Sequence, residues 1–255
     1  MPNVQSSVDI FISEIEAIER KFEKDIAKLT TRLGAMSDTQ LIKATSELNF
    51  LQELIDSGYG KALDNFDESY TSMLKAAIDE ATKRGIPTLS GASLQSLETL
   101  KDMDFERLLG RASIYSNELK TQLFRGVFAN ANPKQITDNL INKVKRRTSR
   151  LASHQLNVVA YDGLKIFDDM SRYKTFQGQD VRWTYIGPQD AHTRQACQDT
   201  KANEPEEGYK EKDVPTETPF GVRGGFNCRH SWMIRLGLKI LLKLKRGNGQ
   251  NLVES

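Results

Sequence analysis

The stretch F11-ISEIEAIERKFEKDIAKLTTR-L33 decides the class of fold. Phe11, Ile15, Ile18, Phe22, Ile26, Leu29 and Leu33 follow one another at intervals of four, three, four, four, three and four residues. That spacing keeps every apolar side chain on one stripe of an α-helix, because a helix turns once in about 3.6 residues. Glu14, Arg20, Lys21 and Lys24 occupy the other faces. The stripe therefore faces a core, or a partner helix, behind a solvated back.

The same period continues on the C-terminal side of this helix. Ser37-Asp38-Thr39-Gln40 has the form of a capping box, and Leu41, Leu48, Leu51 and Ile55 extend a second helix to a stop near Gly58. A third helix carries Leu63, Phe66, Tyr70, Leu74, Ala77 and Ala81 and stops at Lys83-Arg84-Gly85, with Pro87 just beyond. Residues 1–85 read as a helical bundle or arm, and IPTLSGAS at 86–93 as a linker. Leu94, Leu97, Leu100, Phe105, Leu108 and Leu109 predict one or two further helices, and residues 114–128 another. Ala131-Asn132-Pro133 opens a helix over 133–147, since proline suits a first helical turn. A last long helix is predicted over 148–174, with His154 in its middle as an ordinary polar residue.

The pattern changes after Gln177-Gly178. Val181-Arg182-Trp183-Thr184-Tyr185-Ile186 alternates and is rich in aromatic and β-branched residues, which predicts a strand closed by Gly187-Pro188. Residues 199–223 read as loop. From Ile234 to Leu244 apolar residues alternate as in a strand, although Arg235, Lys239 and Lys243 also share a helical face. The expected architecture is mainly α: a helical bundle or arm (1–85), a helical segment (94–175), a small C-terminal α+β domain with a loop-rich, cysteine-containing motif (176–246), and a flexible tail (247–255).

Composition narrows the function classes. The chain has 255 residues, 36 basic against 34 acidic, and a net charge of +2, so no global field draws it to nucleic acid or a membrane surface. No apolar run approaches the length of a membrane span, and the N-terminal residues lack the pattern of a secretion signal. Two cysteines do not make a disulfide framework.

Chemistry-bearing residues gather in two clusters: Asp190, His192, Arg194 and Cys197, then Asn227, Cys228, Arg229 and His230. His192, Cys197, Cys228 and His230 offer a Cys2His2 set that can close a tetrahedron around zinc, although their spacing is not that of a zinc knuckle. A Cys197–Cys228 disulfide and a pair of reduced, packed thiols are the other readings of the cysteines. A His-metal nuclease built on His230, Asp190 and Asn227, and a Cys–His nucleophile, are the enzymatic alternatives. Lys143, Lys145, Arg146, Arg147 and Arg150 form the densest basic patch, a solvated face or a nonspecific contact for DNA phosphates, and Lys239, Lys243, Lys245 and Arg246 form a looser one.

The order of these features resembles the phage Mu F-like, or minor head protein, family of tailed bacteriophages. The resemblance covers about residues 110–240. It is carried by Asn132-Pro133-Lys134-Gln135-Ile136 opening a helix, by Asp190, Thr193-Arg194 and Cys197 after a strand, by Pro215 and Pro219 in the loop, and by Asn227-Cys228-Arg229. It departs at His154-Gln155, where the family often has Thr-Glu, and in having Phe226 before the motif and His230 after it. The resemblance implies a structural minor head protein with no catalytic residues and no required cofactor, needed for head morphogenesis and contributing to DNA delivery. It would be made in the bacterial cytoplasm and reside in the virion, at the portal vertex or capsid interior. Portal, coat or scaffold protein would be its partners, together with packaged double-stranded DNA, and no membrane. Within it, Asp190, Arg194, Cys197, Asn227, Cys228 and Arg229 are expected to staple the small domain, with Arg229 reaching Asp190 or loop carbonyls.

Overall fold

A computed structural model describes residues 3–33, 36, 38–87, 89–129, 131–145, 151 and 154–235. The protein is mainly α with a small C-terminal α+β region. Helices α1 (Val4–Leu33), α2 (Asp38–Glu47), α3 (Phe50–Leu54), α4 (Gly60–Thr82), α5 (Gly91–Phe128), α6 (Pro133–Lys145), α7 (His154–Phe176) and α8 (Gln195–Ala202) alternate late in the chain with strands β1 (Arg182–Ile186) and β2 (Ser231–Arg235). No described helix is long and apolar enough to cross a membrane.

The chain forms two compact units, each assembled from two stretches: residues 1–72 with 98–164, and residues 73–97 with 165–255. Residues 86–93, expected to be a linker, lie inside the second unit, and the long helices α4, α5 and α7 each contribute to both. Sequence punctuation marks where helices stop, whereas a unit boundary depends on which stretches pack together.

In the first unit, the α1 stripe behaves as its period requires: Phe11, Ile15, Phe22, Ile26 and Leu33 are buried. Asn3 caps the helix, its Oδ1 accepting from Gln5 N at 3.0 Å. Phe11 stacks on Phe66 with ring centroids 4.5 Å apart. The predicted second helix is not continuous. It breaks at Leu48-Asn49, where the Asn49 side chain accepts from Gln52 N and starts α3. Nor does Gly58 end it. That glycine, at φ 125°, lets the chain kink through a π-helical turn, Ile55–Tyr59, directly into α4. Ser37 of the expected capping box lies outside the described residues. Asn132 and Gln135 do cap each other reciprocally at the start of α6, Asn132 Oδ1 accepting from Gln135 N at 2.9 Å and Gln135 Oε1 from Asn132 N at 3.2 Å. Residues expected in two or three helices between 94 and 128 form the single helix α5. His154 is the first residue of α7 rather than its middle.

In the second unit, α4 ends as predicted. Gly85 takes a positive φ of 67°, Ile86 N donates to Ala81 O and Gly85 N to Thr82 O, which closes the open carbonyls of the last turn. Strands β1 and β2 pair antiparallel, with Tyr185 opposite Trp232 and Ile186 opposite Ser231. Alternation buries Trp183 and Tyr185 on one face of β1. Around them pack Phe176, Cys197, Tyr209, Cys228 and Trp232 as one core. The region read as loop after Asp199 holds more order than expected. The helix α8 runs to Ala202, a 3-10 turn forms at Glu211–Asp213, and Tyr209 bridges to Trp183 through two backbone hydrogen bonds of 2.8 Å. The closing strand begins at Ser231, ahead of the predicted start. Residues 236–255, including the second basic patch and the expected tail, lie outside the described residues.

Candidate functional site

Three elements converge on the cysteines. Tyr185 comes from β1, Cys197 from α8, and Cys228 and His230 from the segment that enters β2. Cys197 Sγ and Cys228 Sγ lie 3.7 Å apart, and Cys228 Sγ lies 3.7 Å from His230 Nδ1. The Tyr185 hydroxyl is 3.4 Å from Cys197 Sγ and 3.8 Å from Cys228 Sγ. Its ring stacks on the His230 imidazole, with centroids 5.0 Å apart and 10° between planes. All four residues are buried, and His230 is 2% exposed. Among the described residues, Cys197, Cys228 and His230 form a group whose ligand atoms lie within 4.8 Å of one another and can hold a metal ion.

Two glycines make this approach feasible. A Cβ at Gly224 would stand 2.2 Å from Cys197 Sγ and 3.3 Å from Cys228 Sγ, and one at Gly187 would stand 2.3 Å from His230 Cδ2. Both positions need glycine because of what lies against the backbone.

The environment distinguishes the two thiols. Burial pushes Cys197 up. Burial acts the same way on Cys228, but hydrogen bonds from the His230 and Gly224 backbone N–H groups, from Tyr185 and from Cys197 outweigh it and hold that thiol below its ordinary value. Burial also lowers His230, disfavouring its charged form.

Around the sulfurs, the remaining predicted residues form a polar frame. Arg229 forks onto Asp190, Nη1 donating to Oδ2 at 2.7 Å and Nη2 to Oδ1 at 2.6 Å. That guanidinium holds the Asp190 carboxyl well below the usual carboxylate range. Asp190 Oδ1 also accepts from His192 N, and Thr193 Oγ1 accepts from Asp190 N while donating to Pro188 O, which closes the turn after β1. Arg194 reaches across to the second cluster, donating to Gly224 O at 2.7 Å and Phe226 O at 2.6 Å. Asn227 holds a left-handed turn at φ 55°, a conformation asparagine tolerates.

His192 does not belong with the cysteines. Its side chain is exposed at the surface, so the expected Cys2His2 set is corrected to Cys197, Cys228 and His230, with Tyr185 beside them. The turn fixed by Asp190 and Thr193 uses the His192 backbone N–H and leaves the residue exposed. Of the basic patch, Lys143 and Lys145 belong to the last turn of α6, while Arg146, Arg147 and Arg150 lie outside the described residues.

Sequence reasoning missed four contributors: Tyr185, Gly224, Arg223 and Asp169. Arg223 is fully buried, with a positive φ of 57°. It donates to Cys228 O at 3.1 Å, and its Nε lies 3.6 Å from Asp169 Oδ2 on α7. Asp169 is also 3.7 Å from Arg172 Nη1, and burial pushes its carboxyl up to about 6. The Gly-Gly pair beside Asn-Cys-Arg was a usable signal for close backbone approach. The Asp169–Arg223 contact joins residues 54 apart in sequence and left none.

Comparison with protein-family models, with curated proteins and with solved structures finds no match for this chain.

Proposed function

We propose that the protein is a structural minor head protein of a tailed bacteriophage, located at the portal vertex or capsid interior and required for head morphogenesis. The observation that carries this reading is the use made of the residues behind the family resemblance. Arg229 is spent on Asp190, Asp190 on its own turn, and Arg194 on the carbonyls of Gly224 and Phe226. Cys197 and Cys228 are buried in the core of the second unit. Each of these side chains holds the fold together, which is the work of a stapled assembly module rather than of a catalytic cleft.

The helical first unit then serves as the surface that docks on portal, coat or scaffold protein. The Cys197–Cys228–His230 cluster is the centre of the staple, and a metal held there serves folding. A His-metal nuclease is less well supported: a general base must reach its substrate, and His230 is buried beneath Tyr185 while Asp190 is occupied by Arg229.

The test is proteomic. DNA-filled particles are purified from a lysate of the phage whose genome encodes the chain, and their proteins are quantified by mass spectrometry. A few copies per particle are expected. Finding the chain only in the soluble fraction overturns the assignment.

A further inference from the structure

The geometry points to a structural zinc centre in which Cys197 Sγ, Cys228 Sγ, His230 Nδ1 and the Tyr185 hydroxyl oxygen are the four ligands. The argument is one of edge lengths. Zinc binds thiolate sulfur at about 2.3 Å and imidazole nitrogen or oxygen at about 2.0–2.2 Å; at the tetrahedral angle, two sulfurs stand about 3.8 Å apart and a sulfur and a nitrogen or oxygen about 3.6 Å apart. The sulfurs here are 3.7 Å apart. Cys228 Sγ and His230 Nδ1 are 3.7 Å apart, and the Tyr185 oxygen stands 3.4 and 3.8 Å from the two sulfurs. Four edges of one tetrahedron thus match within a few tenths of an ångström. A disulfide needs sulfurs about 2.05 Å apart, so the same separation is poor geometry for that bond.

The surroundings serve a metal thiolate. Cys228 Sγ receives backbone N–H groups from His230 and Gly224, the latter brought in by the missing Cβ that would strike Cys197. The His230 imidazole also donates to the Pro188 carbonyl, an outer acceptor of the kind that orients a ligating imidazole. Two soft sulfurs and one imidazole select zinc over magnesium or calcium. Binding releases the two thiol protons and, because Zn2+ acidifies a bound hydroxyl, the Tyr185 phenol proton to solvent. Two thiolates, one phenolate and a neutral imidazole leave the centre with one net negative charge, next to the buried Arg223 that donates to Cys228 O. With four protein ligands the coordination sphere is closed, which assigns the ion to folding rather than to hydrolysis.

This centre deepens the staple reading of the cluster and is independent of the virion assignment, so a failed metal test leaves the particle test standing. The full-length chain is purified without chelator, its metal content measured, and the ion then replaced by cobalt(II). One zinc per chain is expected. The cobalt form should show sulfur-to-cobalt charge-transfer absorption and the strong visible bands of a tetrahedral site. Cys228→Ser and His230→Ala should lose that spectrum, and His192→Ala should keep it. Tyr185→Phe should bind at least about tenfold more weakly. If Cys228→Ser fails to fold, the spectrum of the unaltered chain decides. A metal-free chain without a tetrahedral cobalt spectrum overturns the centre, as does full metal retention in Cys228→Ser. Unchanged affinity in Tyr185→Phe overturns the fourth ligand.

Discussion

Gly224→Ala is the most direct probe of the site, because it adds one methyl group and leaves every polar partner in place. The added carbon would lie 2.2 Å from Cys197 Sγ. Unbonded heavy atoms settle at about 3.5–4.0 Å, so more than 1 Å of displacement is required. Cys197 is 1% exposed and sits on α8 against the aromatic core, so it has little room to yield. Gly224 is not at positive φ, which makes the clash the whole effect. The expected cost is about 3 kcal/mol, the upper end of the overpacking range. For a chain of this length that lowers Tm by about 6–12 °C. Both tryptophans, Trp183 and Trp232, lie in this core, so denaturant unfolding followed by their fluorescence reports this unit specifically. Gly110→Ala in α5 is the control, since nothing stands within 4 Å of its Cβ position, and it should stabilise by about 0.5–1 kcal/mol. Adding Cys197→Ala to Gly224→Ala removes the atom that is struck, so the double variant should be less destabilised than the sum of the two single variants. A Gly224→Ala protein within about 0.5 kcal/mol of the parent would refute this packing of Gly224 against Cys197.

Two further outcomes are expected. Asp169 titrates at about 6 in the folded protein against an ordinary value of 3.8, so the folded state holds the extra proton and stability falls as pH rises through that window. The difference corresponds to about 3 kcal/mol, present in full below about pH 4 and lost above about pH 6; Asp169→Asn should flatten the dependence of the urea midpoint on pH, and equal slopes would contradict it. Arg229→Ala should lower Tm at low ionic strength and do so less in high salt, because the half-exposed fork with Asp190 is screened. An unchanged Tm at low salt removes that fork from the staple.

The class of fold was legible from periodicity because it is a local property. The α1 stripe, the close of α4 at Gly85, the start of α6 at Asn132-Pro133 and the alternation in β1 depend on residues within a few positions of one another. Errors arose where local signals competed. Leu48 and Leu51 continued an apolar stripe that the Asn49 cap interrupts, and Gly58 read as a stop where positive φ makes a kink. The helix α8 went unseen because QACQDTKA buries only Cys197 and Thr200 and so shows no stripe.

Residue order and spacing sufficed for the helical architecture, the small terminal sheet, and the place of Asp190, Arg194, Cys197, Asn227, Cys228 and Arg229 in one motif-bearing region. Which atoms meet depends on packing between elements distant in sequence. His192 and His230 are equivalent candidates along the chain, yet a turn closed by Asp190 and Thr193 exposes one imidazole, and entry into β2 buries the other under Tyr185. Tyr185 reads as an ordinary inward strand residue until α8 brings Cys197 beneath its hydroxyl. Sequence pattern encodes which face of an element is apolar. The separation of two sulfurs depends on how three elements, distant in sequence, pack around two missing Cβ atoms.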